Sequence, residues 1–135
     1  MIRVLQNKGL KQAMVVTSKD GIDELSITDV THVHELRNNQ ITTYDIDPTE
    51  FGLSIYPLKD IQVNTSEEAY LYGVEVLNGK RGAGFDMVAL NAGAALYISN
   101  ITSTMAEGIE LAIKTIHSGK ALLLLNKFAK FTQHN

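Results

Sequence analysis

Ala13-Met14-Val15-Val16-Thr17-Ser18-Lys19-Asp20-Gly21-Ile22-Asp23-Glu24-Leu25-Ser26 is the stretch from which the fold can be read. The apolar run Ala13 to Val16 reads as a buried strand within a first strand over 10–17. Gly21 lets the chain turn sharply behind it, and Asp23 and Glu24 then stand side by side on the loop. Neighbours on an extended loop point in different directions, so the two carboxylates need not share a ligand atom. The residues leave two readings open. One is a solvated acidic loop, the ordinary setting of Asp and Glu. The other is a site for hard divalent cations, with each carboxylate facing an ion or Glu24 bridging two. Mg²⁺ favours such oxygen donors and leaves the rest of its shell to waters and substrate phosphates. Leu25 to Thr28 reads as the start of a second strand.

Working outward, Met1 to Lys8 reads as the last turns of a helix, with Ile2, Val4 and Leu5 apolar and Gly9 as its stop. A chain that opens on a helix end implies a segment before it. Downstream, Thr31 to Ile46 reads as a hairpin around Asn38-Asn39, because Asn tolerates the positive φ of a tight turn. Asp47-Pro48-Thr49-Glu50 ends the second arm, and Pro57 keeps 51–61 irregular. The remainder is helical. Ser66 with Glu67 and Glu68 starts a helix with Leu71, Val74 and Leu77 inward, stopped by Gly79. Asp86 opens a second helix, apolar on most sides and therefore buried, with Val88, Leu90, Ala92, Ala95 and Leu96 inside. Thr104 and Glu107 have capping-box spacing ahead of a third, whose stripe is Met105, Ile109, Ala112, Ile113 and Ile116. Gly119 ends it, and 120–131 form a last helix with Leu122, Leu125, Phe128 and Ala129 inward.

The length of 135 residues suits one domain spanning 1–135, and no internal repeat divides it. A net charge of −3 gives no basic excess to hold nucleic acid or an anionic membrane surface. Without cysteine there is no disulfide and no thiolate zinc site. The apolar run Ala121 to Leu125 is far too short to span a bilayer, and the first residues lack the long apolar run of a signal peptide. The cytoplasm is the expected compartment.

His32 and His34 alternate on a strand, so both rings lie on one face. Two imidazoles are a minimal start for a zinc site, but no third ligand accompanies them and a solvent-facing strand accounts for them. His117 stands near a helix C-terminus, where a capping role is favoured. His134 falls in the tail, where chains fray. Gly79-Lys80-Arg81-Gly82-Ala83-Gly84 has the look of a phosphate loop, but no Lys-Ser or Lys-Thr follows at Walker spacing. It also joins two helices instead of following a strand, so it reads as a helix connection.

The order of pieces resembles the C-terminal part of anthranilate phosphoribosyltransferase. The segments that carry the resemblance are Lys8 to Val16, Asp20 to Ser26, Tyr44 to Leu53 with Pro57-Leu58, Val76 to Gly79, Asp86 to Ala92, and Glu107 to Ala112 through Ser118 to Ala121. Asn64-Thr65-Ser66-Glu67-Glu68 departs from the family's more usual Gly-Gly-Asp run. The resemblance covers essentially all of this chain and the last two fifths or so of a family member. The glycine-rich loop that holds the pyrophosphate, the lysine-histidine-glycine-asparagine segment and the helical dimerisation region lie upstream in the family.

The resemblance implies an α/β fold: the C-terminal portion of a phosphoribosyltransferase/nucleoside phosphorylase catalytic domain, with a mixed sheet flanked by helices. This chain would supply a strand, a β-hairpin and about four helices. It implies transfer of phosphoribosyl from phosphoribosyl pyrophosphate to anthranilate, in tryptophan biosynthesis, with Mg²⁺ as cofactor. Asp23 and Glu24 match the pair that holds Mg²⁺ against the pyrophosphate, with Glu24 able to contact both ions. No catalytic residue is expected in this portion, and the chain alone is expected to be inactive and to self-associate as a homo-oligomer. The rival readings are a nucleoside phosphorylase, a non-catalytic small domain that packs against a partner, and a nucleic-acid-binding relative of the same fold. The acidic balance speaks against the last.

Overall fold

The computed structural model describes residues 1–133; His134 lies outside the described residues. The chain runs α1 (Ile2–Asn7), β1 (Gln12–Ser18), β2 (Thr31–Arg37), β3 (Gln40–Ile46), two short 3-10 turns (Pro48–Phe51 and Leu58–Asp60), then α2 (Ser66–Leu77), α3 (Ala83–Ile98), α4 (Met105–His117) and α5 (Lys120–Gln133).

The three strands form one sheet in the order β1-β2-β3, antiparallel throughout, where the resemblance implied a mixed sheet. The hairpin closes as expected. Asn38 and Asn39 take φ of 51° and 62°, the doubly positive turn that matches the right-handed twist of paired strands. β1 is an edge strand and its apolar run is half-buried rather than buried.

The expected strand at Leu25 to Thr28 does not form. Ser26 and Thr28 spend their hydroxyls on the Asp20 carboxylate, and the Ser26 amide donates to Thr31 Oγ1 at 3.0 Å, so this backbone is not drawn into the ladder. Leu25 and Ile27 are nonetheless buried, at 2% and 0% exposure, and join the core with Val33, Ile46, Leu90 and Ile109.

The helices obey their end signals. Thr104 and Glu107 form the reciprocal capping box. At α2 the cap is Thr65, one residue earlier than expected, its Oγ1 accepting from the Glu68 amide at 3.1 Å. α3 starts at Ala83, three residues before Asp86, because Gly82 takes φ of 139° and lets the helix begin there. Five inward assignments, on three helices, fail. Leu71 is 55% exposed, and Val76 is buried in its place. Phe128 is 62% exposed and Ala129 is exposed, since the distal half of α5 extends past the helices it rests on. Val88 and Ala95 are exposed because α4 covers the Gly93 side of α3 and leaves the other side open. Among the described residues no helix is long and apolar enough to cross a membrane.

Candidate functional site

The loop after β1 is built around one carboxylate. Gly21, at φ of 87°, allows the tight reversal in which the Gly21 amide donates to Ser18 O at 3.1 Å. Asp20 turns inward from that reversal. It accepts the Ile22 amide at 3.0 Å, the Ser26 hydroxyl at 2.5 Å and the Thr28 hydroxyl. Partial burial would raise its pKa, but the hydroxyls of Ser18, Ser26 and Thr28 and the Ile22 amide outweigh that and hold the carboxyl well below the usual range. Ser18 Oγ is itself buried and has no hydrogen-bond partner among the described residues, although it faces Asp20 closely enough to favour the ionised form.

The far side of the loop is held from α3. Asn91 Oδ1 accepts the Leu25 amide at 3.0 Å, and Asn91 Nδ2 donates to Leu25 O at 2.8 Å and to Met87 O at 3.0 Å. Asp20 on one side and Asn91 on the other thus fix the chain on both flanks of Asp23 and Glu24. Both acids are exposed, and among the described residues neither side chain takes part in a hydrogen bond or ion pair. Sequence reading located the acid pair but missed its supports. Asn91 did carry a signal: an amide amid Val88-Ala89-Leu90 and Ala92 on a largely buried helix must find partners.

The donor set suits a hard cation. Two exposed carboxylates without partners among the described residues offer oxygen ligands and leave the rest of an octahedral shell to water and phosphate, which is how Mg²⁺ is usually held. Among the described residues no group of three or more His, Cys, Asp or Glu converges as a complete cage.

The other flagged residues lie apart from this loop. Lys80 pairs with Glu75 at 2.6 Å, and the Arg81 guanidinium sits 4.2 Å from the centre of the Phe85 ring. Both cations of the glycine-rich connection are therefore engaged locally, and its later glycines belong to α2–α3 packing: the Gly84 amide donates to Tyr72 Oη at 2.8 Å. His117 occupies the last turn of α4, but its ring stacks on Phe85 at 5.5 Å instead of capping; the helix end is closed by Gly119, whose amide donates to Ile116 O at 2.9 Å. His32 and His34 share one sheet face, as expected.

Residues 1–122 match the family model described as "Glycosyl transferase family, a/b domain". The chain is 42% identical over 127 residues to the anthranilate phosphoribosyltransferase of Vesicomyosocius okutanii subsp. Calyptogena okutanii (strain HA), covering 94% of this chain and 38% of that protein. It is similar to the crystal structure of anthranilate phosphoribosyltransferase from Thermus thermophilus, with a TM-score of 0.85 and 32% identity over 96% of this chain and 38% of that one. It is also similar to the Saccharomyces cerevisiae enzyme in complex with PRPP and Mg, with a TM-score of 0.74 and 29% identity over 87% of this chain and 34% of that one. The chain thus spans about two fifths of the length of the curated relatives it matches. A strand–acidic loop–hairpin unit followed by four helices, matched along residues 1–122, places this chain in the glycosyl transferase family, within its a/b domain.

Proposed function

We propose that this chain is part of an anthranilate phosphoribosyltransferase, forming the C-terminal part of its catalytic α/β domain across residues 1–135, and that it carries one wall of a Mg²⁺ site. The reaction would join anthranilate to phosphoribosyl pyrophosphate with release of pyrophosphate. The observation that carries this reading is the exposed Asp23–Glu24 pair, without partners among the described residues, on a loop braced by Asp20 and Asn91. The yeast relative solved with PRPP and Mg supports the ligand class. Asp23 and Glu24 would hold the cation, with Glu24 reaching both ions where two are bound. Mg²⁺, when bound, neutralises charge on the leaving pyrophosphate. Asp20 keeps the loop folded by holding two hydroxyls and one amide, and Asn91 ties it to α3. The acids therefore meet the cation without first having to be ordered. The cytoplasm is the compartment that goes with this reading.

The test is Asp23→Ala with Glu24→Ala in two settings. In the 135-residue chain the melting curve should barely move, within about 0.5 kcal/mol, as for exposed side chains that make no contact. In a polypeptide that also supplies the rest of the relatives' length, loss of anthranilate fluorescence should slow by about 100-fold or more, and the Mg²⁺ requirement should rise. Unchanged kinetics would remove the site assignment. A large drop in melting temperature would make the acids structural.

Self-association belongs to the same reading. The open side of α3 borders an apolar groove of about 390 Å³ whose lining includes Leu77, Val88, Ala92, Leu96 and Ile101. Uncovered apolar surface of this kind favours association. Sedimentation of the chain should show a dimer or larger species, and a clean monomer at high concentration would count against it.

A further inference from the structure

We propose a second cation site, separate from the acidic loop: His32 and His34 on the outer face of β2 form a two-imidazole chelate for a late first-row divalent ion, with Zn²⁺ as the probe. Both residues lie on the central strand of the sheet, two apart, so both rings stand on the same side. The β2–β3 register sets Asp45 opposite His32 and Thr43 opposite His34. Each opposing residue engages one ring nitrogen. His32 Nδ1 lies 2.7 Å from Asp45 Oδ1, and His34 Nδ1 lies 2.9 Å from Thr43 Oγ1.

Both contacts engage Nδ1, and the carboxylate one decides which nitrogen of His32 is free. An ionised carboxylate only accepts, so the proton of a neutral His32 ring sits on Nδ1 and the Nε2 lone pair is available. The Thr43 hydroxyl can both accept and donate; when it accepts, the proton of His34 sits on Nδ1 and its Nε2 is available as well. Both Nδ1 atoms are engaged from β3, and among the described residues neither Nε2 takes part in a hydrogen bond. The ring centroids are 5.0 Å apart with the planes perpendicular. Two imidazoles sharing one tetrahedral ion at a Zn–N distance of about 2.0–2.1 Å have their centroids about 5 Å apart. The rings therefore stand at chelating separation on a ladder-paired strand. Asp45 supplies the carboxylate–histidine orientation that commonly backs a metal-bound imidazole. Access is open, since the His32 side chain is 47% exposed and that of Asp45 53%.

The chemistry separates this site from the acidic loop. Imidazole nitrogen favours Zn²⁺, Cu²⁺ and Ni²⁺ over Mg²⁺, which prefers oxygen. Two protein ligands leave the remaining positions to water or to an outside donor. The site also adjoins the loop anchor, because the neighbouring Thr31 pairs with Ser18 and accepts the Ser26 amide. The competing explanation is a plain surface ion pair between His32 and Asp45, which would bind no metal and contribute little.

Calorimetric titration of the whole chain with ZnCl₂ tests the proposal, with ¹⁵N imidazole shifts read in parallel. One ion per chain should bind, reversibly with a chelator, and the shifts should fall on Nε2 of His32 and His34. His32→Ala and His34→Ala should each weaken binding at least about tenfold, and Asp45→Asn by about tenfold or more. His117→Ala, His134→Ala and the Asp23/Glu24 double change should leave it unaltered, and excess Mg²⁺ should not compete. Melting curves of these variants check that each remains folded. No saturable binding at millimolar Zn²⁺, binding that survives loss of both histidines, an unchanged affinity in Asp45→Asn, or shifts at Nδ1 would each overturn the site.

Discussion

Glu35→Ala is expected to destabilise the fold by about 3 kcal/mol, far more than removal of any exposed acid. Glu35 is only 5% exposed and is the meeting point of three elements. From β3 the Tyr44 hydroxyl donates to Oε2 at 2.7 Å, and from α3 the Tyr97 hydroxyl donates to Oε1 at 3.0 Å. On β2 itself Arg37 Nε donates to Oε1 at 3.1 Å. The Arg37 guanidinium also donates to Tyr97 O at 3.2 Å and lies 4.3 Å from the centre of that ring. Truncation leaves two hydroxyls and a partly buried guanidinium without their acceptor, and that loss of partners, rather than the pair's own attraction, sets the size of the effect. Glu35→Gln keeps the shape and one acceptor oxygen and should cost about half as much. A melt that moves no more for Glu35→Ala than for Asp23→Ala would refute the network.

The same cluster gives a signed pH dependence. Burial first, and then the hydrogen bond to Glu35, push the Tyr44 and Tyr97 hydroxyls above the ordinary phenol range. The unfolded chain releases those protons near pH 10 while the folded chain keeps them. Their contribution is therefore complete below about pH 10 and is lost as pH rises beyond it. Tyr44→Phe with Tyr97→Phe should flatten that alkaline fall.

How much of this was legible in the sequence follows from how far each determinant reaches along the chain. The hairpin turn at Asn38-Asn39 and the box at Thr104 and Glu107 are settled by neighbours within three residues, and both formed as read. The acidic loop was located for the same reason, since Gly21 marks the turn and Asp23-Glu24 follow it directly. What escaped depends on distant partners. Asn91 lies 66 residues from the Leu25 backbone it holds, and Glu35 meets Tyr97 across 62. The missing strand at Leu25 to Thr28 is a case of competition: local pattern favoured extension, but hydroxyls aimed at Asp20 won. The open side of α3 was unreadable for a different reason. Its composition is apolar on most sides, and only the packing of α4 decides which side is covered.

Gly93→Ala and Gly108→Ala carry the other large effect, with a sign opposite to helix propensity. Alanine in place of glycine inside a helix ordinarily stabilises by about 1 kcal/mol. α3 and α4, however, cross with backbone against backbone. A methyl on Gly93 would lie 2.5 Å from Ile109 Cγ1, 2.6 Å from Ile109 N and 2.8 Å from Ile109 Cα. A methyl on Gly108 would run into the Gly93 carbonyl oxygen and come within 3.2 Å of Gly93 Cα. Main-chain atoms cannot rotate aside, so the helices must separate. Separation loosens the layer that holds Ala89, Leu90, Ala94, Met105 and Ile109 in the core. Each change should therefore destabilise by about 2–4 kcal/mol after the propensity gain is subtracted. The pair together should cost less than the sum, because one separation of the helices relieves both clashes. Gly73→Ala in α2 is the internal control: nothing lies within 4 Å of the position its methyl would take, so there the ordinary propensity gain should appear. Chemical denaturation of the four variants reads all of these signs at once. Stabilisation by Gly93→Ala or Gly108→Ala would mean that the helices do not approach this closely. The consequence would reach the acidic loop as well, since Asn91 holds Leu25 from the helix that Gly93 seats.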